Sequence, residues 1–376
     1  MNDVLVSSLV NAGLLLLLGA ALYAAPSPLL NPRTVPFGVR VPPERAEDPR
    51  VDAERRRYRA PVLWATVVGT VAATGLGALL DSVAAGVVTG LVLCAVAAVL
   101  WLRAHRALSE AKERGDWYAG LRQGAVADTS LRTDPVRLPW AWSVPSFVVI
   151  AVTAVIGAFA YPGLPDTLAM PERSGDGTRY HEVATTFWTA FSMVFGQILG
   201  TAALLALVAA MLRSRADLDA SRPAASAARH RRFLALTSRA LLAISAVVDL
   251  MLLGLSGMLW TDNRSTPVLF TVVGVPALVT LGIVVLLAVR VGPGGERLPE
   301  GADSENTGMV QRDDDRHWRA GGTVYTNGDD PAVLVPRRVG MGWTLNLGNP
   351  RALIGSVAVL VLVLGAAALA TLGLLG

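Results

Sequence analysis

The chain has 376 residues, 53% hydrophobic and only 16% charged, with a mean hydropathy of +0.48. That leaves too little polar surface for the two or three water-facing domains such a length would otherwise hold. The net charge of +4 and pI near 9.6 come from arginines set between apolar runs, which marks membrane edges rather than a nucleic-acid-binding surface.

A helix needs about 20 mostly apolar residues to cross about 30 Å of hydrocarbon. Run 4–23 carries no charge and is the first predicted span. Met1-Asn2-Asp3 has no basic residue and eight Arg follow the run, so it is expected to be an uncleaved reverse anchor, not a signal peptide. Prolines between Pro26 and Pro43 exclude a helix there, and a short charged helix is predicted over 45–59. Spans 61–80 and 83–102 follow, turning at Asp81-Ser82, and the third continues as a polar helix with Glu110 and Arg114 at i,i+4.

The fourth and fifth spans are predicted at 144–160 and 183–212, both without charge. Segment 213–232, basic and rich in Ala and Ser, reads as a mobile linker before spans 234–260 and 268–289. Gly and acidic residues make 291–311 a flexible tether. Segment 312–350 has aromatic residues separated by turn signals, with Asn327-Gly328 a hairpin cue, and predicts a β-rich module too small to hold a core alone. Run 352–376 is the eighth span. The expected fold is an all-α membrane protein: a seven-helix membrane domain over 1–290, the tether, the module, and an eighth transmembrane helix. Gly86-x-x-x-Gly90 and Gly196-x-x-x-Gly200 are candidate close-packing sites between its helices.

Orientation follows from the basic residues. Segments 26–59, 103–137, 213–232 and 290–351 hold 29 of the 33 Lys and Arg, and they are every second segment. Cytoplasmic loops accumulate such residues, so eight crossings place both termini outside and the module in the cytoplasm. Lys occurs once, at Lys112, and Cys94 is the single cysteine, which excludes an intrachain disulfide.

Three segments carry a family resemblance: Phe37-Gly38-Val39-Arg40-Val41-Pro42 with Tyr58-Arg59; Tyr161-Pro162-Gly163-Leu164-Pro165-Asp166; and Asp315-Arg316-His317-Trp318-Arg319-Ala320-Gly321 through Tyr325, Asn327, Asp329-Asp330-Pro331, Val335-Pro336 and Gly340-x-Gly342-Trp343-Thr344-x-Asn346. Together they resemble a bacterial family of membrane proteins built from domains of unknown function and related to SdpI-type toxin-immunity proteins. The resemblance implies protection against a secreted peptide. The family's external motif continues from Leu-Pro-Asp into a His-containing segment. Here Thr167-Leu168-Ala169-Met170-Pro171 follows without that His, a departure at the outer contact.

Chemistry is sparse. Asp249 lies in the middle of the sixth span, where an unpaired carboxylate costs about 2.5–3.5 kcal/mol. Gln197 on the fifth span is its expected donor, and the pair reads either as a proton or ion site or as a packing contact. Arg239 is expected to snorkel to the cytoplasmic edge. Asp166 ends a proline-bracketed turn and is a candidate contact for an external peptide. Trp318, Tyr325, Asn327 and Trp343 are candidate contacts for a cytoplasmic regulator of the module, or its core. Asp313-Asp314-Asp315 beside His317 reads as a solvated acidic face without the ligand set of a metal site. No P-loop, dinucleotide fingerprint, paired-His zinc helix or nucleophile elbow is present, so no enzyme activity, metal or cofactor is expected. The expected partners are the lipid bilayer, an external peptide and a cytoplasmic regulator bound at 312–350, with no nucleic acid. A small transporter built on Asp249 is the competing reading.

Overall fold

The computed structural model describes residues 3–80, 84–126, 130–174, 177–299, 305–357 and 361. In chain order, the helices are α1 (Asp3–Ala24), α2 (Pro49–Leu80), α3 (Ala84–Arg114), α4 (Ser130–Thr133), α5 (Val144–Ala160), α6 (Phe187–Ala190), α7 (Ser192–Leu212), α8 (Pro223–Trp260) and α9 (Thr266–Arg290). Among the described residues, six helices are long and apolar enough to cross a membrane: those containing α2, α3, α5, α7, α8 and α9. The described apolar part of α1 is shorter, and most of the expected eighth span, 352–376, falls outside the described residues. The protein is a mostly helical, multi-pass membrane protein.

Side-chain exposure agrees with a lipid surround. Leu79 is 81% exposed and Phe159 85% exposed, and α9 buries almost none of its apolar length. In water such a surface would be an aggregation site; against lipid tails it is neutral. Packing divides the long helices into two half-bundles. One contains α1, α2 and α3; in the other, α8 packs against α5, α7 and α9. Within the first, Gly86 permits close approach, since a Cβ there would meet Asn11 of α1 at 2.7 Å. The second glycine pair does not act this way: nothing lies within 4 Å of Gly200, and Gly196 has only Leu252 at 3.9 Å.

Two expected boundaries are corrected. The fifth span does not begin at Val183, because that residue closes an antiparallel hairpin of β2 (Thr167–Ser174) and β3 (Gly177–Ala184), paired from Thr167–Ala184 inward. Thr186 then starts a fresh helix with a reciprocal capping box to Thr189, and α7 begins only at Ser192. The linker 213–232 is also shorter than expected. Its second half is the first three turns of α8, whose 38 residues run about 57 Å.

α8 therefore reaches both ends of the bundle. At the hairpin end, the Trp260 indole donates to the Ala190 carbonyl at 2.9 Å. At the opposite, arginine-rich end, Phe233 meets the C-terminal module. That module contains β5 (Trp318–Arg319) with β6 (Val324–Tyr325), and β7 (Leu334–Pro336) with β8 (Trp343–Leu345), both antiparallel pairs. The tether is anchored rather than free along its described length: β4 (Val310–Gln311) pairs in parallel with β1 (Gln123–Gly124), and Thr307 donates to the Ala220 carbonyl at 2.6 Å.

Candidate functional site: a module docked across two half-bundles

The first loop supplies the seat. Pro36, Phe37 and Gly38 form a tight turn in which Gly38 has φ +78°, a conformation glycine adopts freely. A Cβ on Gly38 would lie 2.4 Å from the Gly321 carbonyl, and one on Gly322 would lie 2.5 Å from Gly38 Cα. Absent side chains thus let the module's backbone rest on the loop's backbone. Phe37 packs its ring against Trp101 at 4.9 Å and Tyr58 at 5.8 Å, and the Trp101 indole donates to Gly321 O at 2.9 Å. His105 Nδ1 lies 2.8 Å from Phe37 O, and Asn31 Oδ1 accepts from the Gly340 amide at 2.8 Å.

Around this seat lies a charge hub. Arg40 reaches Asp217 at 2.8 Å and Asp314 at 2.9 Å. Lys112, at the end of α3, reaches Asp313 and Asp315, both at 2.6 Å. Arg338 pairs with Asp314 and Asp315 and donates to Gly38 O at 3.0 Å. The three cations are 2–10% exposed, so they are shielded from water and salt. The reading of Asp313–Asp315 as a solvated face is thereby corrected: these carboxylates tie the module to the first loop through Arg40 and to α3 through Lys112, and Arg40 carries the link on to Asp217 in segment 213–232.

The electrostatics confirm a charged hub. Burial alone would raise the Asp314 carboxyl, but the Arg40 and Arg338 guanidiniums override it and hold it at about 2. Burial works against Asp315 too, and Arg338 and Lys112 hold it below the usual carboxylate range. Arg40 loses solvation, yet Asp217 and Asp314 hold its guanidinium above its ordinary value.

The module's own core is small. Trp318, Tyr325 and Val335 form it, with ring centroids of Trp318 and Tyr325 5.0 Å apart and the Arg338 guanidinium 4.9 Å over the Trp318 ring. The Tyr325 hydroxyl donates to Asp330 at 3.0 Å and accepts from Asn327 at 3.1 Å, while Arg215 of the third loop pairs with Asp330. Asn346 is wholly buried. Its amide donates to Asn327 O, Asp330 O and Ala332 O at 2.8, 3.1 and 3.1 Å, and its oxygen accepts from the Asn327 and Gly348 amides. Trp343 lies apart from this core, 5.6 Å from the Phe233 ring of α8.

Asp249 lies elsewhere, inside the second half-bundle. It is 2% exposed and accepts from Thr201 at 2.9 Å, and Ser245 lies 3.2 Å from that hydroxyl. Gln197 does reach it, but at the main chain: its amide donates to Asp249 O at 2.8 Å and to Thr153 at 3.0 Å, not to the carboxylate. The result is a polar seam shared by α5, α7 and α8. Asp166 is exposed at the root of the hairpin, where its carbonyl accepts from Thr185 N at 2.8 Å. Sequence reasoning missed Arg40, Lys112, Arg338 and Asn346 as site residues. The available signals were the resemblance motifs, which hold Arg40 and Asn346, and the chain's single lysine.

Residues 329–353, the second half of the module and the step into the next helix, match a family of unknown function, DUF5808. No curated protein and no solved structure matches the chain. The shared segment holds Asp330, Arg338, Trp343 and Asn346, so its match falls on the residues that lock the module and hold it to the bundle.

Proposed function

We propose that this is a non-catalytic membrane sensor of the SdpI-like immunity type. Its hairpin end faces outward and its docked module lies in the cytoplasm. The alternating arginine segments support that orientation, with both termini outside and eight crossings. The observation that carries the reading is the docked module: Arg40 and Lys112 hold it to the first half-bundle, while Asp217, Arg215 and Phe233 tie it to the second. Buried ion pairs are a poor way to gain stability compared with apolar packing. They suit a joint that sets one specific arrangement and can be released. A peptide or lipid-like agent meeting the outer hairpin near Asp166 would shift the half-bundles, and the module would report that shift to a regulator inside.

Deleting the gene in its host then sensitises cells to a secreted peptide, and both Asp166→Ala and Asp314→Asn weaken protection when reintroduced. Unchanged sensitivity across a panel of peptide toxins sinks the immunity reading. A second reading, a small proton- or ion-coupled transporter, draws on the buried seam of Asp249, Thr201, Ser245 and Gln197. It requires a pH- or ion-dependent flux in proteoliposomes that Asp249→Asn abolishes.

A further inference from the structure

The polar seam inside the second half-bundle holds more oxygen than its own hydrogen bonds use. Asp249 accepts from Thr201 at 2.9 Å, and the Ser245 hydroxyl lies 3.2 Å from that of Thr201. Gln197 is wholly buried, and its Nε2 is committed twice, to Asp249 O at 2.8 Å and to Thr153 Oγ1 at 3.0 Å. Reversing the amide would set Oε1 against the Asp249 carbonyl oxygen, so the orientation is fixed. Oε1 is then a buried acceptor with no donor. Ser146 of α5 is also wholly buried; its hydroxyl turns to the Asp249 carboxylate and closes no hydrogen bond. Nor does a cation answer the charge. Apart from Arg239, the eight apolar runs contain no Lys, Arg or His, and Arg239 is exposed about 15 Å along α8 from Asp249.

A buried charge persists where it is paired or holds a metal ion, and a buried oxygen left without a partner costs roughly 1–3 kcal/mol. One ligand removes all of these deficits. Hard cations take oxygen ligands, and the seam presents carboxylate, hydroxyl and amide oxygens. A single carboxylate neutralises one positive charge. Among the described residues no cluster of three His, Cys, Asp or Glu offers the charge that a divalent or transition metal draws. Oxygens 2.9 to 3.2 Å apart, from Asp249 to Thr201 to Ser245, close around an ion of sodium's size, whereas potassium needs a wider ring. We propose that the seam binds one sodium ion, held by the Asp249 carboxylate, Gln197 Oε1 and the hydroxyl oxygens of Ser146, Thr201 and Ser245. Each hydroxyl has two lone pairs besides its hydrogen and can turn one to the ion. The inference deepens the transporter reading and rests on it for any role in flux, but binding is measured apart from flux.

The test uses the full chain in phosphatidylcholine nanodiscs and follows equilibrium binding of radioactive sodium, with choline chloride holding the ionic strength constant. Wild type takes up one ion per chain, displaced by unlabelled sodium better than by potassium. Asp249→Asn abolishes binding, and Ser146→Ala weakens it about tenfold through the loss of one ligand oxygen. The Ser146 hydroxyl has no hydrogen bond to lose, so that variant keeps its fold and carries the test even where Asp249→Asn does not. Thr271→Ala, exposed on α9, binds like wild type. Saturable sodium binding without any flux in proteoliposomes supports the site and removes the transporter reading. A proton-driven flux without sodium binding overturns the site and leaves that reading standing. No binding up to about 0.15 M sodium, or an affinity that Ser146→Ala leaves unchanged, also overturns the proposal.

Discussion

Replacing Asp314 with Asn keeps the side chain's shape and removes the charge that faces Arg40 and Arg338. In the folded protein its carboxyl is held at about 2 against an ordinary 3.8. That difference corresponds to about 2 kcal/mol of coupling in the folded protein, shared between Arg40 across the joint and Arg338 and Trp318 within the module. Because the folded value is depressed, the contribution is complete above the ordinary carboxyl range and is lost as pH falls from about 4 toward 2. Hydrogen exchange read by mass spectrometry resolves the effect by segment. At neutral pH, Asp314→Asn should lower protection in peptides covering 37–41 and 318–346, by at most roughly 30-fold, and leave the α5–α7–α8 seam unchanged. After correction for intrinsic rates, wild-type protection of the module should fall between pH 4 and pH 2, and the fall should be smaller in the variant, where Asp315 alone still titrates against Arg338 and Lys112. Equal protection in the two proteins, or a loss spread evenly over all helices, would refute the hub as the joint.

Three further outcomes follow from the geometry. Gly38→Ala places a methyl 2.4 Å from Gly321 O in a backbone with φ +78°, and should release the module at a cost of about 2 kcal/mol or more, seen as a change in Trp101 fluorescence. Asn346→Ala removes three donated and two accepted bonds at a wholly buried position, and a thermal melt should show about 3 kcal/mol lost from the module. Asp249→Asn can still accept from Thr201, so its melting transition should stay within about 1 kcal/mol of wild type; a collapse of expression would show that the carboxylate itself holds the seam.

The membrane helices were legible because lipid demands long apolar runs and nothing else in this chain imitates them. Their edges were less so. Val183 to Phe191 is uncharged and continues the apolar run, yet Thr186 caps a helix and Val183 sits in a strand, since a short apolar strand and the end of a span share composition. Gly175-Asp176-Gly177 was the available hairpin cue. At the module, aromatic spacing left regulator contact and core as alternatives for a segment read as too small to hold a core alone; Trp318 and Tyr325, with Val335, form a small core of its own. The acidic run was misread for a different reason. Asp314 finds its partners in Arg40, 274 residues away, and in Arg338, and no local pattern encodes that meeting. Arg40 stands in a resemblance motif, yet among eight arginines of its loop nothing but the fold shows that it is the buried one.

Lys112 gives the hub a property that no arginine could. It is the chain's single lysine, its side chain is 10% exposed, and Asp313, Asp315 and the Arg40 carbonyl enclose its amine. Apart from the amino terminus, the whole protein thus offers amine-directed chemistry one position, and that position sits beneath the module. An acylating reagent would modify it only while the module is lifted. The labelled fraction over time would be a direct clock of opening, recorded on the native sequence without any engineered probe.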